Sequence, residues 1–358
     1  MYLSKKRGTI KKILLSRKGI QKGEIEVAGK TAKVINYTEL TGFLKEGDEV
    51  IVNTTAIELG LGSGGYHFVV LNFSNLESSL EGTGHIIKMR YTPYQLKVLS
   101  IEEQTSSYHE KMKGSESLRK MPVIICSLHS MIPCAAGAVK ELTNYNAKIA
   151  YVMTDGGALP CVFSDLVHLL KKNGFIDVTI TAGHAFGGDF EAINIYSGLL
   201  AAKNVLNCDI AIVGMGPGIT GSGTKYGFSG IEQGEIINSV AILGGIPIAV
   251  PRISFGDPRK RHYGVSHHTL TILREIALKK AIVALHKYEQ GRLDYVLNEL
   301  QKKEIDKKHR IIVKDGSIGV DAVVSRNIKL STMNRGIDEE YDFFCTSGAA
   351  GAIAVDFL

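Results

Sequence analysis

The sequence lacks several features that would assign it to a class at once. Tryptophan is absent, the charged N-terminus has no apolar signal segment, and no run reaches the ~20 apolar residues of a membrane span. The five cysteines form no CxxC pair and no zinc-knuckle spacing: Cys126, Cys134, Cys161, Cys208 and Cys345. These absences predict a cytoplasmic protein with buried free thiols and no membrane partner.

Length and charge narrow the class further. The chain has 358 residues, enough for two domains, and its formal net charge is +6. Much of the excess sits in short runs such as Lys5-Lys6-Arg7 and Arg259-Lys260-Arg261, which are typical of a solvated surface. No recognised nucleic-acid motif accompanies them, so a nucleic-acid partner is disfavoured. Association of identical copies stays open.

The apolar pattern changes along the chain. Residues 1–100 contain short β-branched runs separated by Gly, Asp and Asn, which predict a small all-β barrel or sandwich. Residues 101–121 are mostly polar and predict a linker or mobile segment. From residue 122 to 358, strands alternate with helical segments of 10–15 residues. This alternation predicts an α/β domain with a doubly wound, mostly parallel sheet that carries the site.

Four apolar runs of this second domain each end in a glycine-rich loop with polar side chains. KIAYVMTD leads into Asp155-Gly156-Gly157, and IDVTITAG leads into His184 and Gly187-Gly188-Asp189. The other two runs lead into residues 214–223 and 256–262. Because the carboxyl ends of parallel strands share one edge of a sheet, these loops predict a ligand crevice.

The loop 214–234 is the richest in glycine, with eight glycines in 21 residues. Glycine lets main-chain N–H groups converge on an anion. The run does not match GxxxxGK[ST]. It fits GxGxxG letter by letter but follows the fourth strand and contains Pro217, which argues against a dinucleotide. Two interpretations of the loop remain open: it binds an anionic or phosphorylated ligand, or it has a purely structural role. The candidate ligand-binding residues are Gly216, Gly218, Gly221, Gly223 and Thr224, with Gly156, Gly157, Gly187 and Gly188 in the neighbouring loops.

Several strand-end residues suit acid–base chemistry. The candidates for catalysis are Asp155, His184, Glu191 and His129. Glu191 and Asp189 read as the start of a helix, so helix capping is the competing explanation for Asp189. Because the chain has no GxSxG elbow, a hydrolytic triad is not inferred from His129 and the nearby Ser127.

The segment 256–268 combines cations and histidines. Arg259 and Arg261 offer forked donors for a carboxylate or phosphate, while a solvated basic loop is the alternative. Together with Asp189, His267 and His268 are candidate ligands of a divalent metal, the only cofactor suggested. Tandem histidines point ~100° apart on a helix, so both rarely bind one metal.

Longer strings carry a resemblance to a known family. GHIIKMRYTPYQ, YVMTDGGALP, AFGGDFEA, GTKYGFSG, GDPRKRHYGVSHHTL and STMNRGIDEE resemble the DUF3866 family of uncharacterised bacterial proteins across nearly the whole chain. The resemblance implies no substrate and no site residues.

These observations leave three hypotheses for function. The favoured one is an enzyme acting on a small anionic substrate, for which phosphorylation of the substrate and assistance by a divalent metal are both open. The others are a non-catalytic ligand-binding or regulatory protein and a nucleic-acid-associated protein. Turnover, ligand binding without turnover, and salt-dependent nucleic-acid affinity would distinguish them.

Overall fold

The N-terminal part folds as a closed five-stranded barrel. The computed structural model describes residues 3–62 and 64–358, and the barrel strands follow the order β1-β2-β3-β5-β4 with β3 parallel to β5. This connectivity is that of a small Greek-key barrel of the OB type. The strands are β1 (Lys5–Arg17), β2 (Ile20–Val27), β3 (Lys30–Asn36), β4 (Glu49–Asn53) and β5 (Tyr66–Asn72), with one-turn helices α1 (Thr38–Thr41) and α2 (Thr55–Glu58).

The length of β1 explains how the barrel closes. This 13-residue strand pairs with β2 along most of its length and with β4 at its beginning. Register shifts between Ile10 and Lys12 and between Ile13 and Leu15 mark irregularities, which bend a strand. Fully buried side chains such as Ile25, Val34 and Val50 fill the interior. The predicted separate β domain is therefore present.

The chain divides into two compact units at the end of this barrel. The first comprises the residues up to Thr83 with Met89–Lys97, and the second comprises Gly84–Lys88 with Val98–Leu358. The second unit includes strands β6 (Ile86–Lys88) and the end of β7 (Leu96–Val98), and helix α3 (His109–Lys113).

The polar segment 101–121 packs into this second unit. Four apolar side chains, spaced too widely to form an apolar run, are buried in its core: Ile101, Met112, Leu118 and Met121. The structure thus differs from the predicted linker at these positions.

An eight-stranded, entirely parallel sheet forms the centre of the second unit. Its order is β11-β10-β9-β12-β8-β13-β16-β17. The strands are β8 (Pro122–Cys126), β9 (Ile149–Thr154), β10 (Val178–Ala182), β11 (Phe190–Ala192), β12 (Ile210–Met215), β13 (Ile246–Val250), β16 (Ile282–His286) and β17 (Arg310–Lys314). After β13, two short strands of two residues each, β14 (Ile253–Ser254) and β15 (Gly264–Val265), pair as an antiparallel hairpin. The predicted α/β class is confirmed.

Helices cover both faces of the sheet with two separate apolar cores. One face carries α4 (Ile132–Leu142), α5 (Asp165–Lys172), α11 (Ser317–Ser325) and α12 (Ile337–Val355). The other carries α3, α6 (Ile195–Leu200), α7 (Glu232–Ile242), α8 (His267–Thr271), α9 (Gln290–Lys302) and α10 (Ile305–Lys308). None of the helices in the described residues is both long and apolar enough to cross a membrane.

Helices α4, α11 and α12 pack with their backbones almost in contact. A Cβ on Gly319 would lie 2.2 Å from the carbonyl oxygen of Cys134, and one on Gly351 would lie 2.2 Å from that of Ala135. Since real Cβ atoms do not approach backbone oxygen so closely, only glycine fits at these positions.

The path of the chain opens a crevice at the carboxyl edge of the sheet. β9 and β8 lead to α5 and α4 on one face, whereas β12 and β13 lead to α7 and α8 on the other. Neighbouring strands therefore send their connections in opposite directions, which is the condition for a ligand crevice. β8 lies between β12 and β13, so β12 and β13, which follow each other along the chain, are not neighbours in the sheet.

Candidate functional site

A cavity with acidic walls lies at the carboxyl ends of β9 and β10. We call it the acidic cavity; it measures about 530 Å³. Its polar lining includes Asp155, Glu232 and Glu235, with Thr154 and Tyr196 beside them. Glu232 and Glu235 lie one turn apart at the start of α7, which directly follows the loop 216–231. The acidic character of this cavity comes from two elements that are distant in sequence.

Glu232 is the most perturbed carboxyl of this cavity. Burial raises its pKa to about 7, and the negative charge of Asp155 acts in the same direction. Thr154 Oγ1 donates a 2.7 Å hydrogen bond to Glu232 Oε1, which partly opposes the rise. A Cβ on Gly156 would lie 2.7 Å from Glu232 Oε2, so this glycine leaves room for the carboxylate. A carboxyl that exchanges its proton near neutral pH suits general acid–base work.

Asp155 organises the loop after β10. Its Oδ2 accepts a 2.9 Å hydrogen bond from the backbone N–H of His184. Gly183, which precedes His184, has φ of +66°, and a Cβ there would lie 2.3 Å from Asp155 Oδ2. The structure therefore brings Asp155 and His184 together as predicted, through the histidine backbone.

Asp189 and Glu191 do not begin a helix, and that prediction is wrong. Phe190–Ala192 is the parallel edge strand β11, and the next helix begins at the N-cap Asn194. Asp189 forms an ion pair with Lys171 and accepts a 2.8 Å hydrogen bond from the backbone N–H of Thr179. Asp189 thus stabilises the edge of the sheet. Four strands lie between β11 and β13, the strand that leads to His267 and His268.

Glu191 is the counter-ion of a buried lysine. Lys88 Nζ, 1% exposed at its side chain, lies 2.7 Å from Glu191 Oε2 and also donates to the carbonyl oxygens of Thr181 and Ala185. Gly187 N–H donates to the other Glu191 oxygen at 2.7 Å. Both Glu191 oxygens are therefore occupied within the fold, and the Gly187 donor is not directed at a ligand.

Gly188 has the same internal role. Its N–H donates to Thr181 Oγ1 at 3.2 Å. A Cβ at this position would lie 3.0–3.1 Å from backbone atoms of the sheet edge, so the glycine permits close packing.

His129 lies in a buried hydrogen-bonded network. Its Nδ1 is 3.1 Å from the carbonyl oxygen of Met215, and its Nε2 is 2.8 Å from Ser164 Oγ. Because a carbonyl only accepts, Nδ1 carries the proton and Nε2 accepts from the serine. Ser164 also caps α5 by accepting from Val167 N–H. Burial lowers the pKa of His129 to about 4, so the ring is neutral.

The loop between β12 and α7, residues 216–231, is here called the glycine loop. Gly216 is buried, and a Cβ there would lie 2.4 Å from the carbonyl oxygen of Ala158. Gly157 packs against it in turn, with a Cβ position only 2.3 Å from the Gly216 carbonyl oxygen. These two predicted ligand-binding glycines serve close packing between the loops after β9 and β12.

The outer part of the glycine loop is exposed. Gly218 and Gly223 adopt φ of +109° and +79°, and neither has an atom within 4 Å of a Cβ position. Gly221 and Thr224 are exposed as well. The accessible main chain of the loop therefore runs from Gly218 to Thr224.

Three histidines cluster where the chain turns back through the β14–β15 hairpin. His262, His267 and His268 each offer one ring nitrogen within 4.8 Å of the others. His262 Nδ1 is 2.8 Å from Ser266 Oγ, and Ser266 caps α8 by accepting from His268 N–H. We call this group the histidine cluster. The expectation that tandem histidines diverge is not met, because His267 and His268 occupy the first positions of α8, with ring centroids 4.2 Å apart.

All three imidazoles are held in their neutral forms. Burial lowers the pKa of His262 to about 3 and that of His268 to about 4, and the nearby Arg252 acts in the same direction. Burial also lowers the pKa of His267, with the positive charge of Arg261 as the next cause.

The glycine loop contacts the histidine cluster directly. Phe228 stacks on His268 with ring centroids 3.8 Å apart and an interplanar angle of 5°. A Cβ on Gly221 would lie 3.8 Å from the His268 ring. The loops after β12 and β13 therefore meet, although their strands are not adjacent.

The two candidate arginines differ in their surroundings. Arg259 is engaged by Asp257, with Arg259 Nη2 2.7 Å from Asp257 Oδ2 and Arg259 Nε 2.9 Å from Oδ1. Arg261 is exposed, and its Nε donates to His262 Nε2 at 3.3 Å. It forms no ion pair with any residue that the structure describes. Arg261 is thus the more available anion donor.

Asp257 also binds two further arginines. Its Oδ2 lies 3.0 Å from Arg252 Nη2 and 3.1 Å from Arg335 Nη2. Burial alone would raise the pKa of Asp257, but the hydrogen bonds and charges of Arg259 and Arg335 outweigh it and hold the pKa well below its usual range. Asp257 and the buried Glu340, which also pairs with Arg335, therefore anchor this basic region.

Sequence reasoning missed three members of the site: Glu232, His262 and Asp257. Glu232 follows the glycine loop at a helix start, a position that reads as ordinary capping. His262 and Asp257 stand inside the basic segment 256–268, where the arginines and the tandem histidines draw attention first.

The chain was compared with known protein families and with curated proteins. The family described as "Protein of unknown function (DUF3866)" matches residues 33–351. No curated protein matches the chain. The match begins within β3, so it excludes β1 and β2 but includes nearly all of the α/β unit, and the chain belongs to the DUF3866 family.

Proposed function

We propose that this protein is an enzyme that acts on a small anionic substrate, a carboxylate or a phosphorylated metabolite, at the carboxyl edge of the sheet. The observation that carries the proposal is the stacking of Phe228 on His268, which brings the exposed glycine loop against the basic segment. The N–H groups of Thr220 and Ser222 are bonded within the loop, so we infer that those of Gly221 and Gly223, of which Gly221 lies against the His268 ring, are the donors near the Arg261 guanidinium. Backbone donors opposed to a guanidinium fork suit a phosphate or carboxylate.

The acid–base group of this proposal is Glu232, with Asp155 beside it. Glu232 begins α7 four residues after Phe228, and a 3-10 turn, Ser229–Ile231, joins them. At ~2 Å of rise per residue, the two backbones are separated by about 8 Å. Because Phe228 stacks on His268 in the cluster that Arg261 borders, we infer that a small metabolite can place its anionic group at Arg261 and its reacting group near Glu232.

Arg261→Ala tests the anion site. Thermal-shift and calorimetric titrations with inorganic phosphate, citrate and sugar phosphates should identify an anion that stabilises the parent chain. Arg261→Ala should weaken that anion by ~10–150-fold, which corresponds to the ~1.5–3 kcal/mol of a hydrogen bond between charged groups. Lys302→Ala, an exposed cation on α9, is the matched control and should bind like the parent.

The catalytic part of the proposal needs turnover. Glu232→Gln should retain anion binding and lose most turnover of any identified substrate. An anion that binds through Arg261 without conversion would instead support the non-catalytic ligand-binding alternative. Equal binding by the parent and Arg261→Ala would show that the basic segment is an ordinary solvated loop.

The barrel gives one observation in favour of a second function, binding of single-stranded nucleic acid. Lys22 Nζ and Lys33 Nζ lie 5.9 and 5.7 Å from the centroid of the Tyr66 ring. Barrels of the OB type bind oligonucleotides with such cations and a stacking ring. Fluorescence anisotropy with a 15-mer at about 50 and 200 mM salt should show salt-dependent binding that Tyr66→Ala weakens; salt-independent or absent binding contradicts this function.

A further inference from the structure

The histidine cluster has the composition of a metal site with an open position. Three ring nitrogens lie within 4.8 Å of one another, and no carboxylate or thiol joins them in the residues that the structure describes. Catalytic zinc sites use three protein ligands, including three histidines, and leave a fourth position for water or substrate. Oxygen ligands, which Mg²⁺ and Ca²⁺ prefer, are missing from the set.

Hydrogen bonds fix the tautomer of His262 in the form that a metal requires. The Nε–H of Arg261 can only donate, so His262 Nε2 accepts and its proton resides on Nδ1. Nδ1–H then donates to Ser266 Oγ at 2.8 Å. A metal-binding histidine donates its second ring nitrogen to a polar partner in this way, which orients the ring.

The other two rings are also held toward a common point. His268 is clamped by the stacked ring of Phe228. His267 Nε2 is buried and has no hydrogen-bond partner among the described residues. An unpaired buried nitrogen is unfavourable, and a coordinated cation would satisfy it.

We propose that His262, His267 and His268 bind one divalent metal ion of the imidazole-preferring class, with Zn²⁺ as its representative. At Zn–N distances of about 2.0–2.1 Å, tetrahedral ligand nitrogens are ~3.3–3.4 Å apart, so the three rings close slightly around the ion. The exposed Arg261 leaves His262 Nε2 when the metal arrives. Its freed guanidinium can then contact an anion at the fourth position of the metal.

The identity of the fourth ligand as a substrate anion rests on the proposed function. The metal site itself does not, because it depends only on the three histidines and Ser266. Arg261→Ala separates the two proposals: it should leave Zn²⁺ affinity unchanged or improve it, since the competing donor to His262 is gone, while it weakens anion binding.

Titration of the full-length protein, first stripped with a chelator, with ZnCl₂ tests the site. We expect one ion per chain by calorimetry, and Co²⁺ in its place should give the intense visible bands of tetrahedral coordination. His267→Gln and His268→Gln should weaken Zn²⁺ at least tenfold, and Ser266→Ala should weaken it ~10–100-fold, the usual effect of removing a partner of a metal ligand. His85→Ala, an exposed histidine away from the cluster, should bind as the parent does.

The parent chain alone can overturn the proposal, so the result does not depend on whether a variant folds. Less than one Zn²⁺ per chain, or a Kd weaker than about 100 μM, contradicts the site. Co²⁺ spectra of octahedral type, or binding that survives both glutamine variants with unchanged circular dichroism, contradict it as well. Zn²⁺ binding without any effect of anions would keep the metal site and contradict a substrate anion as its fourth ligand.

Discussion

The acidic cavity and the histidine cluster both border the glycine loop, and burial acts on them in opposite directions. In the acidic cavity it raises the pKa of Glu232 to about 7, so the carboxyl keeps a proton up to neutral pH. In the histidine cluster it lowers the pKa of His268 to about 4, so the ring loses its proton. Burial thus favours the neutral form on both sides. One side can supply a proton, and the other offers lone pairs to a cation.

The compensation of charge differs as well. Next to the histidines, three arginines converge on the single carboxylate of Asp257. In the acidic cavity, a hydroxyl donor from Thr154 is the contact that favours ionised Glu232, and Asp155 opposes it. The basic side is therefore held together by buried ion pairs, whereas the acidic side remains responsive to pH.

The largest effect should come from removing the carboxylate that anchors the basic side. Asp257→Ala leaves Arg252 buried without its counter-ion, because the side chain of Arg252 is only 6% exposed. Loss of one partner of a buried pair costs about 3–5 kcal/mol. Urea unfolding should show this loss, while Asp306→Ala, at an exposed position on α10, should cost less than about 0.5 kcal/mol. Similar values for both variants would show that the arginine group contributes little to stability.

The second effect depends on pH and isolates the acidic side. Unfolded chains release the Glu232 proton near pH 4.5, but the folded chain keeps it up to about pH 7. The stabilisation from this proton is complete below pH 4.5 and is lost as the pH rises through 7. Glu232→Gln carries no charge at any pH, so its stability relative to the parent should rise by about 3 kcal/mol across this window.

Unfolding free energies measured in urea at pH 4.5 and pH 8 check this expectation. Glu235→Gln is a second variant on the same helix, and because the negative charge of Glu235 also raises the pKa of Glu232, it should reduce the pH dependence of the parent only in part. A Glu232→Gln difference that is constant with pH would mean that Glu232 is ionised throughout, and the contrast with the histidine cluster would then disappear.

The smallest effect concerns the contact that joins the glycine loop to the histidine side. Phe228→Leu keeps an apolar side chain but loses the stacked ring on His268. Aromatic pairs contribute about 0.5–1.5 kcal/mol beyond area burial, so we expect a loss of ~1 kcal/mol in chemical denaturation. Tyr226→Leu changes an exposed ring of the same loop and should have a smaller effect. No loss with Phe228→Leu would show that the loop is not fastened to the histidines.

The apolar strands of the α/β unit could be predicted from sequence because their burial on both faces produces unbroken apolar runs. The edge strand Phe190–Ala192 could not, since three residues are too few to show a period and its pairing with β10 is tertiary. The 19-residue helix α12 went unrecognised for another reason. Its C-terminal half, SGAAGAIAV, is almost entirely apolar on all sides, so it has no amphipathic stripe to detect.

Predicting the site failed where it depends on strand order. Glu232 meets Thr154 because β12 lies beside β9, and nothing local in either segment encodes that neighbourhood. His262 joins His267 because the hairpin after β13 returns the chain within a few residues. Arg261, by contrast, is a candidate from composition alone, because a cation beside a strand end can be identified without knowledge of the strand order.

The backbone-to-backbone packing of α4, α11 and α12 has a consequence for mutational scanning of this chain. Any side chain larger than hydrogen at Gly319 or Gly351 meets a carbonyl oxygen at about 2.2 Å, and neither residue carries a chemical group. A scan scored by growth or abundance would therefore rank these glycines with the most intolerant positions. A map of intolerance would highlight the helical layer opposite α7 and α8, and readers could mistake a packing constraint for an active site.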